Sequence, residues 1–280
     1  MTAWVDQLRE VPPPSALGGG WRRFTDLTWL IAVNRFKVTY MGTVLGYVWS
    51  LFRPLLLFGV LLFVFTQVFK LGGRVKDYPV LLLFNIMMFT FFQEGTQSAL
   101  TSVVQSEGVV RKTHFPRLAI PLASVLAAIF NFAVSLIAVF VFIVVYGIGP
   151  FWTWLTLPLL FLPLVTITVA VSAILSALYV RYRDMLVIWS VLVQALFYAT
   201  PILYTLDILP SRFHWLILLN PLTPIFLQAR NWIIDPSAPG AAAAAGGVPE
   251  LLPALGVFVA ICLLSVWIFN REAPRMAEEL

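Results

Sequence analysis

Residues that could bind a partner or a substrate are few, and most of them lie in two short segments between long apolar runs. The first segment, 107–118, is basic and broken by proline, and it contains Arg111, Lys112, Phe115, Pro116 and Arg117. The second, 180–185, contains Arg181, Arg183 and Asp184. The excess of Lys and Arg on the inner side of membrane proteins accounts for the cations alone. It does not account for a Phe-Pro pair or for an aspartate after two arginines, so we predict that both segments dock onto a soluble partner.

Glu94 is the main ionisable residue within the long apolar runs. A carboxylate near the middle of a membrane costs a few kcal/mol and usually faces a helix-bundle interior or water. Two hypotheses follow from its position. Glu94 lines a polar path or pairs with Arg53; alternatively, the apolar run is broken here and Glu94 reaches an interface.

Aromatic residues are abundant, with 23 Phe, 10 Trp and 8 Tyr. Most are expected to face lipid or to form the belts at the membrane surfaces. A minority could line a conduit, because flat rings pack against the apolar faces of sugars and lipids. The candidates lie where polar and aromatic residues mix, and with Glu94 they are Phe91, Phe92, Tyr198 and Tyr204.

The chain lacks the residues that several classes of enzymatic function require. The chain has no Gly-Lys pair, and therefore no phosphate-binding loop of the kind that hydrolyses ATP. Its two histidines and one cysteine are widely separated, which predicts no metal site. No aspartate-rich pair suggests a polyprenyl-phosphate transferase. We therefore expect no catalytic residues, and the net charge of +5 fits membrane topology better than nucleic-acid binding.

The composition places the chain in a membrane. Hydrophobic residues make up 60% and charged residues 11%, whereas a soluble domain carries roughly a quarter charged residues. A membrane-spanning helix needs about 20 apolar residues. Six such runs predict an all-α integral membrane protein with six transmembrane helices in 46–270: Gly46–Phe69, Tyr78–Ser106, Leu118–Tyr146, Trp154–Tyr179, Met185–Leu203 and Leu251–Phe269.

The flanking segments have distinct patterns. Residues 1–20 are polar and proline-rich, without the apolar core of a signal peptide, and they predict a mobile tail. Residues 21–45 contain a basic amphipathic helix along the inner membrane surface, whose apolar face is predicted from Phe24, Leu27, Leu30 or Ile31, and Asn34. The inner segments carry most of the Lys and Arg, so both termini, including the tail 271–280, are expected in the cytoplasm.

The outer side has an unusual segment between the fifth and sixth predicted spans. Residues 201–234 are apolar but broken by four prolines into pieces too short to span, which predicts two short re-entrant helices. Residues 235–250 contain the run Ala241–Ala245 flanked by Pro and Gly, which predicts an exposed, mobile linker.

Four blocks of sequence carry a resemblance to a known family. They are Lys37–Leu55, Arg111–Pro121, Arg181–Asp184, and a last block from Pro201–Tyr204 through Leu219–Leu222 to Arg230. In these blocks the chain resembles the permease subunits of type-2 ABC exporters, in the branch that exports polysaccharides: the Wzm-like O-antigen permeases and the teichoic-acid permeases. The blocks occur in the order typical of that family and cover residues 21–270 in outline.

The resemblance implies an assembly and a transport function. Two copies of the chain would pair around a conduit, above two ABC ATPase subunits that bind the ATP and Mg²⁺. The loop 107–118 and the turn 180–185 would be the coupling elements. The substrate would be a lipid-linked cell-surface polysaccharide that crosses the bacterial cytoplasmic (inner) membrane, such as an O-antigen, a teichoic acid, a capsule or a galactan. The Ala-rich composition mildly favours a galactan.

Other functions remain open at this stage. A type-2 exporter of a small amphiphile, either a drug or a lipid, would have the same fold. A membrane-embedded glycan-modifying enzyme is disfavoured because metal and carboxylate clusters are missing. A purely structural membrane protein would leave the two docking segments unexplained.

Overall fold

Every regular element in the described part of the chain is a helix. The computed structural model describes residues 20–40, 48–70, 75–110, 116–149 and 152–273. Its α-helices are α1 (Trp21–Tyr40), α2 (Val48–Phe63), α3 (Tyr78–Gln105), α4 (Glu107–Val110), α5 (Ala119–Val145), α6 (Leu157–Arg181), α7 (Met185–Ala199), α8 (His214–Leu218), α9 (Thr223–Ala229), α10 (Ala241–Ala245) and α11 (Leu252–Glu272). Short π-helices extend α2 over Val64–Val68 and α9 over Arg230–Ile234. The predicted all-α class is confirmed for these residues.

Four helical stretches are long and apolar enough to cross a membrane. They are Leu51–Val68, Ala119–Val145, Trp154–Arg181 and Pro249–Glu272. The other two predicted spans are helices as well, but α3 carries polar residues along its 28 residues and α7 has only 15 residues. Each of the six predicted spans therefore contains a helix, and four helical stretches have the length and hydropathy of a membrane span.

Helix α3 is the centre of the fold. Its side chains are buried on nearly all sides from Tyr78 to Phe92, and it packs against α2, α5, α6 and α7. A helix that is hydrophobic all round is typical of a buried core position. The other helices therefore assemble around α3.

The packing of α3 against α6 is close at Gly95. The Ser172 hydroxyl lies 3.4 Å from the Gly95 carbonyl oxygen and donates a hydrogen bond to it. A Cβ atom at Gly95 would lie only 2.8 Å from Cγ2 of Thr168. On the neighbouring residue, the Thr96 hydroxyl accepts a hydrogen bond of 3.1 Å from the Trp189 indole of α7. Small residues at helix contacts allow this close approach in membrane proteins.

The segment 201–234, which the sequence predicts on the outer side and which is called the outer segment here, is tied to the first turns of α3. The Tyr78 hydroxyl donates to the Leu203 carbonyl oxygen at 2.8 Å. The Asn85 amide donates to the carbonyl oxygens of Pro201 and Ile202 at 3.4 and 3.3 Å. Beyond this loop, α8 and α9 are short helices within 201–234, where the sequence predicts two. The backbone of residues 201–203 is therefore held by side chains from the core helix, which satisfies carbonyl groups that lie outside regular helices.

Residues 235–250 are packed against the outer segment, whereas the sequence predicted an exposed linker. The run Ala241–Ala245 forms α10, whose first residue is buried and donates its N–H to the Gln228 side chain at 3.0 Å. Gly246 ends the helix with a φ of 93°, a conformation that favours glycine. Asp235 is buried and lies 3.8 Å from the Lys76 ammonium group. Alanine has the highest helix propensity, which accounts for a helix where the low-complexity sequence predicted a linker.

Helix α1 packs mainly along the N-terminal half of α5. Phe24 and Ala32 are buried, and Phe24 packs with residues of α3, α5, α6 and α11. Trp29 and Phe36 both contact the Phe130 ring, with centroids 5.5 and 5.7 Å away. Of the two alternatives for the apolar face, Ile31 is the inward residue, because Leu30 is 65% exposed.

We expect Gly95→Ala to lower the free energy of unfolding by about 1–3 kcal/mol, which is the usual cost of overpacking a core. The added methyl group would clash with Thr168, whose branched side chain is stiff. The measurement is thermal unfolding of the detergent-solubilised chain. Gly59→Ala is the matched control, since a Cβ atom there meets nothing within 4 Å. Equal stability of the two variants would contradict the close packing of α3 on α6.

Candidate functional site

An open polar cavity of about 1170 Å³ lies between α1, α2, α3 and α5. It lies between the last turns of α1, the first turns of α2, the C-terminal half of α3 and the N-terminal half of α5. Polar groups line it on several helices: Asn34, Arg35, Thr39, Arg53, Glu94, Gln97, Ser98, Thr101, Gln105, Ser106, Ser124 and Asn131. So many polar side chains within an otherwise apolar bundle are typical of a water-accessible path or a ligand site.

Arg35 attaches α1 to the wall of this cavity. Its guanidinium donates to the Ser124 hydroxyl of α5 at 2.6 Å and to the Ser102 carbonyl oxygen of α3 at 3.4 Å. Burial lowers the pKa of the Arg35 guanidinium from its usual value. Arginine nevertheless stays charged in proteins, so the cavity wall carries a partly desolvated cation.

Glu94 lies on α3 at the side of the cavity facing α5. Its carboxylate accepts a hydrogen bond of 3.2 Å from the Asn131 amide, and it is attracted electrostatically by Arg53, which lines the same cavity from α2. Helix α3 is continuous from Tyr78 to Gln105. The alternative in which the helix is broken at Glu94 is therefore wrong, and the carboxylate borders the polar cavity.

The predicted conduit aromatics fall into two groups. Phe91 and Phe92 are each 2% exposed and pack in the core, where their ring centroids lie 5.4 Å from Phe132 and 6.2 Å from Trp189, respectively. Tyr198 is 57% exposed, and Tyr204 donates its hydroxyl to the Tyr198 carbonyl oxygen at 3.1 Å. Within one copy of the chain, the tyrosines and Glu94 are accessible and the two phenylalanines are not.

The two predicted docking segments differ in exposure. Arg111, Lys112 and Phe115 lie outside the described residues, and Pro116 and Arg117 next to them are buried. In the turn between α6 and α7, Arg181, Arg183 and Asp184 are all exposed. The guanidinium carbon of Arg183 lies 5.1 Å from the centroid of the Tyr179 ring, which holds that cation at the surface of the turn.

The sequence did not identify several residues of the cavity. Arg35 lies within the basic helix predicted for residues 21–45, and nothing local indicates that it bonds to residues 67 and 89 positions away. Asn131 and Ser124 lie in an apolar run that reads as a lipid-spanning helix. Asn131 could have been noticed from the sequence, because a polar side chain in the middle of a membrane-spanning run requires a partner inside the protein.

Comparison with known proteins places the chain in a family. Residues 26–232 match the ABC-2 type transporter family. Two proteins of Klebsiella pneumoniae named "O-antigen export system permease protein RfbA" are 33% and 32% identical to the chain over 211 residues, which is 75% of this chain and 81% of each relative. A Myxococcus xanthus protein of the same name is 27% identical over 249 residues, 88% of this chain and 92% of that protein. The chain is therefore a member of the ABC-2 type transporter family, as a membrane component of such a transporter.

Proposed function

We propose that this chain is the membrane-spanning subunit of an ATP-driven exporter, which moves a lipid-linked cell-surface polysaccharide across the cytoplasmic membrane. The observation that carries the proposal is the similarity, over three quarters of the chain, to relatives named as O-antigen export permeases. A polar cavity that reaches into an apolar helix bundle suits an amphiphilic substrate of this class. ATP would be hydrolysed on a separate subunit.

The proposed working unit contains two copies of the chain and two ATPase subunits. Each copy would cross the membrane six times, with α3 and α7 as the additional spans and both termini in the cytoplasm. The stretches Leu51–Val68 and Pro249–Glu272 are each only 11% buried within one copy, so their exposed faces are available to lipid or to a second copy. A closed two-fold pair is the commonest arrangement of identical subunits, and it would enclose a conduit between the copies. In this assembly α8 and α9 are the re-entrant helices of the outer side.

Coupling would run through the turn at 180–185 and the loop at 107–118. Closure of the ATPase subunits would push on Arg181, Arg183 and Asp184 and on the segment that contains Arg111, Lys112, Phe115, Pro116 and Arg117. A displacement of α1 would reach α3 and α5 through the two hydrogen bonds of Arg35. The ATPase can drive opening only if it binds the two conformations of the permease differently.

Depletion of the protein in its host tests the proposed substrate class. We expect one long polyprenyl-linked glycan to accumulate on the cytoplasmic side of the membrane, because export and not synthesis is lost. The measurement is the profile of polyprenyl-linked glycans on each side. The glycan found would distinguish an O-antigen, a teichoic acid and a galactan. Altered tolerance to drugs or lipids without any glycan accumulation would instead indicate an exporter of small amphiphiles.

Asp184→Ala and Phe115→Ala should uncouple ATP hydrolysis from export. The exposed aspartate lies in the turn between α6 and α7, where its loss removes a docking contact and leaves the core intact. We expect ATP hydrolysis by the complex to persist while export falls several-fold. The control is Glu250→Ala. Glu250 is an exposed carboxylate next to α11, at the end of the helix bundle opposite to the turn between α6 and α7. Normal export by both docking variants would refute the coupling assignment.

Glu94→Gln should reduce export without affecting assembly. The amide can still bond to Asn131 but lacks the charge that attracts Arg53. We expect normal copurification with the ATPase subunit and a several-fold lower rate of glycan export. An unchanged export rate would show that the carboxylate has no part in the transport path.

A further inference from the structure

The cavity combines positive charge with an apolar side. Arg35 comes from α1 and Arg53 from α2, and among the residues that line the cavity Glu94 is the one carboxylate. On the same α1 and α2 side, Val38, Trp49 and Leu56 are exposed apolar residues. Hydroxyl and amide groups of α3 line the other side. The cavity is therefore amphipathic, with two guanidinium groups among apolar side chains on its α1 and α2 side and with polar groups, including Glu94, on its α3 side.

The charge of Arg35 is held by neutral partners. Its described hydrogen bonds go to a hydroxyl and to a backbone carbonyl oxygen, and neither group cancels a unit charge. The carboxylate of Glu94 bonds to a neutral amide, and Arg53 lines the same cavity. Keeping the partly buried Arg35 guanidinium without a charged partner is costly unless an anion offsets it. The arrangement indicates an anionic ligand.

We propose that this cavity binds the phosphate headgroup of the lipid carrier, with Arg35 and Arg53 on the phosphate oxygens. Guanidinium groups bind phosphate through paired, charge-assisted hydrogen bonds. Gln97, Ser98 and Thr101 offer neutral donors at the same site. The apolar side chains of α1 and α2 then contact the first part of the hydrocarbon chain, which selects a lipid phosphate over free phosphate. This inference rests on the proposed export function and names the part of the substrate that the chain recognises.

Glu94 has a defined place in this site. Its carboxylate and the phosphate compete for Arg53, so the carboxylate weakens headgroup binding and favours release. Because Arg35 lies on α1, a shift of α1 changes the spacing of the two guanidinium groups. The same displacement that couples the ATPase to the bundle would thus loosen the headgroup.

The test is a binding measurement on the full-length chain purified in detergent, with farnesyl diphosphate as the probe. We expect Arg53→Gln and Arg35→Gln each to weaken binding about tenfold or more, which corresponds to the loss of a charge-assisted contact. Glu94→Gln should bind the probe more tightly. Lys37→Gln is the matched control, since it removes an exposed cation from α1 outside the cavity. Arg53 is exposed, so its variant keeps the test valid even where Arg35→Gln fails to fold.

Three further probes identify the ligand. Farnesol should bind far more weakly than farnesyl diphosphate, and inorganic diphosphate should also bind weakly. Equal binding of farnesol, or equal losses in Lys37→Gln and Arg53→Gln, would overturn the phosphate contact. Equal binding of inorganic diphosphate would overturn the lipid assignment, and competition by phosphatidylglycerol at equal affinity would overturn selectivity for the carrier.

The two proposals fail separately. Loss of the arginine dependence, with lipid-linked glycan still accumulating after depletion, would remove the headgroup site and leave the export function standing. Arginine-dependent binding without glycan accumulation would keep a lipid-phosphate site and remove the polysaccharide as its substrate.

Discussion

The structure depends on the requirement that polar side chains on the buried helix α3 find hydrogen-bond partners inside the protein, which the Asn85 amide nitrogen does and its Oδ1 atom does not. A buried polar group without a hydrogen bond costs free energy, and in a membrane no water is available to replace the partner. Along α3 these partners come from different parts of the chain. Asn85 bonds to the outer segment, Thr96 to Trp189, and Glu94 to Asn131. The polar residues of one helix thus fix the positions of the others.

This requirement also joins the two ends of the molecule. At one end, the Tyr78 hydroxyl holds the loop that precedes α8. At the other, the Ser102 carbonyl oxygen accepts a hydrogen bond from Arg35 of α1. Helix α3 runs without interruption between these contacts. A close-packed helix transmits displacement as a unit, so a movement of α1 acts on the whole of α3 and on the segment it holds.

The sequence was informative where a local pattern determined the structure, and less so where distant residues had to meet. Long apolar runs located the six long helices, because a run of that length has few alternatives in a membrane. Glu94 was noticeable because a charge is rare in such a run. The partners Asn131 and Arg35 are ordinary in their own segments, and their roles depend on packing between α1, α3 and α5.

Two misplaced expectations have the same physical origin. The mixture of polar and aromatic residues around Phe91 suggested a conduit wall, but α3 is enclosed on nearly all sides, so that side chains on every face of this stretch are buried. The alanine run at 241–245 suggested a linker, but small side chains also allow a helix to lie close to its neighbours, as Ala241 does beside Gln228. In both cases the neighbours, which the local sequence does not specify, determined exposure.

A transporter must bind its substrate strongly enough to admit it and weakly enough to release it. Two arginines in one cavity would by themselves hold a phosphate group tightly, because each guanidinium offers charge-assisted hydrogen bonds to phosphate oxygens. The carboxylate of Glu94 counters this by attracting Arg53. The attachment of Arg35 to Ser124 and Ser102 has a different effect, since it makes the geometry of the site depend on the position of α1. In the proposed site, the charge of Glu94 thus limits the affinity for the phosphate group, and the displacement of α1 controls it.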